Sequence, residues 1–195
     1  RSITELTNEL ALKNESLEEA NKKVAKLARI DELTGLNNRR CLMERLEKEV
    51  QRCKRYHSPL SLCILDLDYF KRINDTHGHQ MGDKILEEVG SIICETIRDT
   101  DFSGRYGGEE FVVVFTNTSL QVAQNACERL RKAISQKIFT ASQDYSFQVT
   151  CSIGVAEFNE QATDVNTILK AADEALYNAK SKGRNRVCSA NIDLN

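Results

Sequence analysis

Arg105-Tyr106-Gly107-Gly108-Glu109-Glu110-Phe111-Val112-Val113-Val114-Phe115 carries two signals at once. A Gly-Gly pair between extended runs marks a hairpin, because glycine enters tight turns without steric cost. The apolar residues from Phe111 to Phe115 read as a buried strand. Glu109 and Glu110 sit at the hairpin tip, one step before that strand. In a regular strand the two point to opposite faces, so one is the main inward group unless the tip is irregular.

Working outward, Leu60 to Leu65 is a second short apolar run, and it ends in Asp66-Leu67-Asp68. Carboxylates at the end of a buried strand need a cation partner or a metal. If the two strands are neighbours, the acidic clusters converge into a site for a hard cation such as Mg²⁺. The alternative is a set of ordinary solvated turn residues. Around these strands lie helical stretches. Asn38–His57 is stopped by Ser58-Pro59, and Phe70–Asp75 is followed by a glycine-rich loop from His77 to Gly82. Lys84–Arg98 carries an apolar face, Leu120–Ser135 is helical, and Val165–Ser181 is closed by Gly183. Phe147–Val155 reads as a strand, and Arg186–Ser189 as a last short one. Strands alternate with helices around one hairpin, so residues 30–195 are expected to form one α/β domain with a mixed or antiparallel sheet.

Residues 1–29 follow a different period. Ile3, Leu6, Leu10, Lys13, Leu17, Ala20, Val24 and Leu27 fall at a and d of four heptads, with only Lys13 out of place. A parallel two-stranded coil is expected, the alternative being a lone amphipathic helix lying on its own domain. The whole chain has 195 residues, 27 basic and 29 acidic, for a net charge of −2. That balance argues against a general nucleic-acid binder, which needs a basic excess on one face. Seven cysteines, odd in number and without a CxxC pair, argue against a zinc cluster or disulfide framework and suit a reducing cytoplasm. One proline and nine glycines exclude collagen-like and Pro/Gly-rich disordered chains. No run approaches the ~20 apolar residues of a membrane span, and no secretory leader is evident.

Taken together, the motifs resemble the GGDEF family of diguanylate cyclases, in its GGEEF form. Arg105 to Phe111 matches the family signature, and Asp31-Glu32-Leu33-Thr34-Gly35-Leu36-Asn37-Asn38-Arg39-Arg40 its opening motif. Asp66-Leu67-Asp68-Tyr69-Phe70-Lys71-Arg72-Ile73-Asn74-Asp75, Gly78-His79 with Gly82-Asp83, and Lys180-Ser181-Lys182-Gly183-Arg184-Asn185 follow in order. The resemblance implies a fold like the adenylyl-cyclase core and polymerase palm: a central, mainly antiparallel five-stranded sheet wrapped by helices. It implies that two GTP molecules are joined into cyclic dimeric GMP with release of two pyrophosphates. It implies two Mg²⁺ ions per site, or Mn²⁺ in their place, on Asp66, the Leu67 carbonyl and Glu109, with Glu110 as a further ligand. Glu109 is then also the group that deprotonates the 3′-hydroxyl.

By the same resemblance, guanine recognition falls on Asn74 and Asp83, and Asp83 also reads as a helix N-cap before Lys84. Phosphate binding falls on Lys71, Lys180 and Arg184, with the backbone around Tyr69 and Phe70. Arg98-Asp99-Thr100-Asp101 matches the family's inhibitory product site, joined by Arg129. His77 and His79 read as turn residues rather than ligands. The resemblance implies a homodimer held by the coil, and a sensor upstream of it. The competing readings are a non-catalytic receptor for cyclic dimeric GMP, a coiled-coil scaffold, and a cyclase for a mixed or adenine-containing dinucleotide.

Overall fold

The computed structural model describes residues 7–8, 10, 12–19, 29–142, 145–158 and 164–190. Of the heptad positions, Leu10, Lys13 and Leu17 lie among them, and the stretch 12–19 is helical. Ile3, Leu6, Ala20, Val24 and Leu27 lie outside the described residues. Leu10 and Leu17, one heptad apart, are 63% and 60% exposed.

The strands are β1 Leu60–Leu67, β2 Phe102–Gly107, β3 Glu110–Thr116, β4 Ile138–Ser142, β5 Tyr145–Gln148, β6 Cys151–Phe158 and β7 Val187–Ser189. The helices of the domain are α1 Arg39–Tyr56, α2 Phe70–His77, α3 His79–Thr96, α4 Leu120–Gln136 and α5 Val165–Ser181. Five strands form one sheet in the order β2-β3-β1-β6-β7, antiparallel except for β6 and β7. The expected central, mainly antiparallel sheet wrapped by helices is what the chain forms. β1 is buried at every position, as a central strand covered on both faces must be. Alternation sorts its side chains. Cys63 and Leu65 join α3 and α4 in one core, while Leu62 and Ile64 join α1 and α5 in the other. Each fully buried Leu or Ile contributes about 1.5–3 kcal/mol.

Local chemistry sets the element ends. Asn38 caps α1, its side chain accepting from the Cys41 amide at 2.9 Å, and His57 closes the helix in the left-handed region. Three expectations change. The loop expected over His77–Gly82 contracts to Gly78, whose φ of 83° breaks α2 from α3, and α3 begins at His79. Asp83 therefore lies inside α3, with Gly78 at the N-cap, so the capping role expected for it is not taken. The single strand expected over Phe147–Val155 is two, because β5 pairs with β4 in a separate two-stranded sheet before β6 enters the main one. That pairing was not legible, since Ile138–Ser142 carries little apolar alternation.

Gly154 on β6 sets how closely α5 can approach. A Cβ there would run into the Ala172 carbonyl and the Leu176 amide of α5. The opening segment is stitched to β2 instead. The Arg105 amide donates to the Asn37 carbonyl at 2.9 Å, and Asn37 Nδ2 to the Ser103 carbonyl at 2.7 Å. Arg105 then reaches both ways: Nη1 pairs with Asp31 at 3.4 Å, and Nε donates to the Gly108 carbonyl at 2.9 Å. Burial alone would raise the Asp31 carboxyl, but the Thr34 hydroxyl and amide and the Arg105 guanidinium outweigh it and hold it below its ordinary value.

Gly154→Ala is expected to lower unfolding free energy by about 1–3 kcal/mol in urea titration, the usual range for overpacking. A variant as stable as the parent would mean that α5 shifts freely. The depressed Asp31 value adds stability that is present above the unfolded carboxylate value of about 4 and is lost as pH falls through the folded one. Asp31→Asn should therefore flatten this part of the acid limb and cost up to about 1 kcal/mol at pH 7. Equal acid slopes for the two proteins would count against the Asp31–Arg105 brace.

Candidate active site

The end of β1 and the tip of the β2–β3 hairpin meet. Asp66 lies opposite Glu110 in the antiparallel register, and Gly107 pairs with Glu110 across a turn formed by Gly108 and Glu109. Gly108 takes a φ of 46°, which its missing side chain allows, and the register shifts between Arg105 and Gly107. The tip is thus irregular, and both glutamates remain half-buried beside Asp66. α5 brings a cation to the same corner, with Lys180 Nζ 2.9 Å from Asp66 Oδ2.

This corner holds more negative charge than it neutralises. Burial pushes the Asp66 carboxyl up, Lys180 pulls it back, and Glu109 and Asp68 push it further up. The Glu110 carboxyl is raised too, first by burial and then by Asp66, with Lys180 opposing. The carboxylates of Asp66, Glu109 and Glu110 offer hard oxygen donors of the kind that divalent cations of the Mg²⁺ class take. Among the described residues, no group of three or more His, Cys, Asp or Glu is arranged as a metal cage.

Asp68 does something else. Its oxygens accept from Thr150 Oγ1 and Ser152 Oγ, each at 2.7 Å, and from the Asn185 amide at 3.0 Å. The Asn185 side chain in turn accepts from Arg131 at 2.7 Å. On sequence Asp68 groups with Asp66 and Asn185 falls in the Lys180–Asn185 motif, while nothing singles out Arg131. The tie between Arg131 and Asn185 leaves no trace there, because α4 and the segment after α5 supply the two partners.

Tyr69 begins α2 in the left-handed region and is 61% exposed. The Arg184 guanidinium lies 4.6 Å above its ring. The first-turn amides of α2 have no partner within the helix. Lys71 is exposed on that turn, next to the buried Phe70. Farther along α2, Asn74 lies against Gly82 of α3, where any Cβ would strike its carboxamide. Asn74 Oδ1 is the one buried side-chain polar atom among the described residues without a hydrogen bond. Leaving such an acceptor unpaired costs about 1–3 kcal/mol. Asp83, beside Gly82, is exposed.

Arg98, Asp101 and Arg129 line a different cleft, together with Thr96, Phe115 and Val122. Asp101 is turned inward, accepting from the Arg98 amide at 3.2 Å and the Thr116 amide at 3.1 Å. Arg129 reaches the Thr96 carbonyl at 3.4 Å. The structure thus brings Asp66, Glu109, Glu110 and Lys180 together, sets Tyr69 with Arg184 and Asn74 with Gly82, and keeps the Arg98 cleft apart.

Comparison with known proteins adds a further constraint. The family model described as "Diguanylate cyclase, GGDEF domain" matches residues 28–186. The chain is 41% identical over 162 residues to the response regulator PleD of Caulobacter vibrioides, a match that covers 83% of this chain and 36% of that protein. It is 44% identical over 157 residues to diguanylate cyclase DgcP of Pseudomonas aeruginosa, covering 80% and 23%. The chain therefore spans about a third or less of these curated relatives. Among solved structures, the coiled coil and GGDEF domain of DgcB from Caulobacter crescentus in complex with c-di-GMP aligns with a TM-score of 0.80 at 30% identity, covering 97% of this chain and all of that one. The active GGEEF domain of a Vibrio cholerae diguanylate cyclase aligns with a TM-score of 0.75 at 35% identity, covering 80% and 98%. With the matched model running from the opening turn through the Lys180–Arg184 segment, this chain belongs to the GGDEF-domain family of diguanylate cyclases.

Proposed function

We propose that this chain condenses two molecules of GTP into cyclic dimeric GMP and releases two pyrophosphates. The observation that carries the reading is the corner where Asp66, Glu109 and Glu110 meet with Lys180 as the cation on Asp66. Asp66, Glu109 and the Leu67 carbonyl would hold two Mg²⁺ ions, or Mn²⁺ in their place, with Glu110 as a further ligand. Bound there, the metal supplies charge neutralisation and polarisation for an in-line displacement at the α-phosphate. Glu109 takes the proton of the attacking 3′-hydroxyl. Lys71, Lys180 and Arg184 hold the phosphates with the first-turn amides of α2 at Phe70 and the turn at Tyr69. Catalysis of this kind is mostly positioning and electrostatics.

Guanine offers N1–H and N2–H donors, which adenine lacks. The unpaired Oδ1 of Asn74 and the exposed carboxylate of Asp83 supply acceptors for them. Each domain binds one GTP, so the reaction needs a second copy facing it. The exposed Leu10 and Leu17, in heptad register, support a homodimer through the N-terminal helix, with a sensor upstream. The cleft with Arg98, Asp101 and Arg129 takes the product and feeds back on the rate, its arginines suited to phosphate and to guanine faces. Seven free thiols suit a reducing, cytoplasmic setting. Among the described residues, no helix is long and apolar enough to cross a membrane.

Incubation with GTP and Mg²⁺, with nucleotides resolved by chromatography and mass, tests the reading. Cyclic dimeric GMP is the expected product; tight product binding without turnover would favour a receptor instead. Glu109→Ala should lower turnover by about 100-fold or more, with circular dichroism unchanged. Near-normal rates would remove Glu109 from the chemistry. Arg98→Ala should abolish the late slowdown that follows product accumulation, and persistence of that slowdown would dismiss the inhibitory cleft.

A further inference from the structure

Arg184 and Asn185 are consecutive non-glycine residues with φ values of 63° and 45°. Two such residues in the left-handed region persist only where their surroundings hold them. The Arg184 amide donates to the Ala179 carbonyl at 3.0 Å and its carbonyl accepts from Arg186 at 3.1 Å, and two further groups brace Asn185. Asp68 Oδ2 accepts the Asn185 amide at 3.0 Å, and Arg131 Nη1 donates to Asn185 Oδ1 at 2.7 Å. Each of these groups is itself fixed. Asp68 is held by Ser152 on β6 and by Thr150 just before it, and Arg131 is paired with Glu128 on α4 at 2.9 Å. The product of this pinning is a guanidinium laid over the Tyr69 ring, beside the start of α2.

We infer that Asp68 and Arg131 are positioning residues that hold the Arg184–Asn185 turn in its left-handed form and so aim Arg184 at the triphosphate. The inference rests on the reading of Arg184 as a phosphate-binding group. A long side chain that is already ordered loses less freedom when its ligand arrives. Asp68 has both oxygens occupied by three donors, which separates its task from that of Asp66 two residues earlier. Arg131 lies on α4, away from the carboxylate corner, so its loss acts on the turn and not on the metal ligands.

Steady-state kinetics on Arg131→Ala and Asp68→Asn test this, each alone and combined with Arg184→Ala. The single variants should raise KM for GTP about fivefold, the size of one lost hydrogen bond, with kcat changed less. In the Arg184→Ala background Arg131→Ala should add nothing, whereas Asp68→Asn also removes a charge that bears on Asp66. NMR of the ligand-free protein gives a second readout, because the Tyr69 ring current shifts the Arg184 side-chain protons and this shift should collapse in both variants. Unchanged KM and unchanged Arg184 shifts, with Arg184→Ala still impaired, would overturn the positioning role and leave the phosphate role standing. An additive loss when Arg131→Ala is combined with Arg184→Ala would also overturn it, marking a general structural effect. No KM effect from Arg184→Ala itself would remove the premise, and the inference with it.

Discussion

A strand covered on both faces can carry charge only where it ends. β1 is buried along its whole length, and Asp66 arrives at that end still 92% withdrawn from solvent by its neighbours, with 8% exposed. The hairpin tip and the last turn of α5 are the two elements that reach the same point. Burial raises the Asp66 and Glu110 carboxyls, and one lysine does not cancel the set. The corner therefore favours an added cation over a further anion.

The two acids of the Asp66-Leu67-Asp68 stretch illustrate how environment divides labour between like groups. Asp66 has one lysine to set against two neighbouring glutamates. Asp68 is fully engaged by a threonine, a serine and a backbone amide. One sits among charges, the other among hydrogen-bond donors. In the distal cleft the acid and the base divide differently: Asp101 faces inward onto backbone amides and Arg98 remains exposed.

Much of this was legible in the residues. The Gly-Gly hairpin, the buried run of β1 and the apolar faces of α3, α4 and α5 each carry a local signal strong enough to survive folding. What stayed hidden depended on contacts distant in sequence. Gly82 looked like a loop residue because glycine disfavours helix interiors; it sits inside α3 because Asn74 of α2 needs the space a side chain would fill. Asp83 moved from cap to helix surface with it. No Gly or Pro marks a turn between β4 and β5, and β4 itself carries little alternation to pair with that of Tyr145–Gln148. Arg131 and Asn185, 54 positions apart, meet only when α4 folds onto the segment after α5.

Gly154 gives the site a mechanical character. The backbone of β6 touches that of α5 at Ala172 and Leu176, so the helix rests on a hard point with no compressible side chain between. From Leu176 to Lys180 is about 6 Å along a helix. Rocking α5 by roughly 10° about that point would swing the Lys180 backbone by about 1 Å, enough to stretch its 2.9 Å contact with Asp66. The sheet acts as a fulcrum and α5 as a short lever, so the charge balance at the strand end depends on how firmly a glycine lets a helix sit.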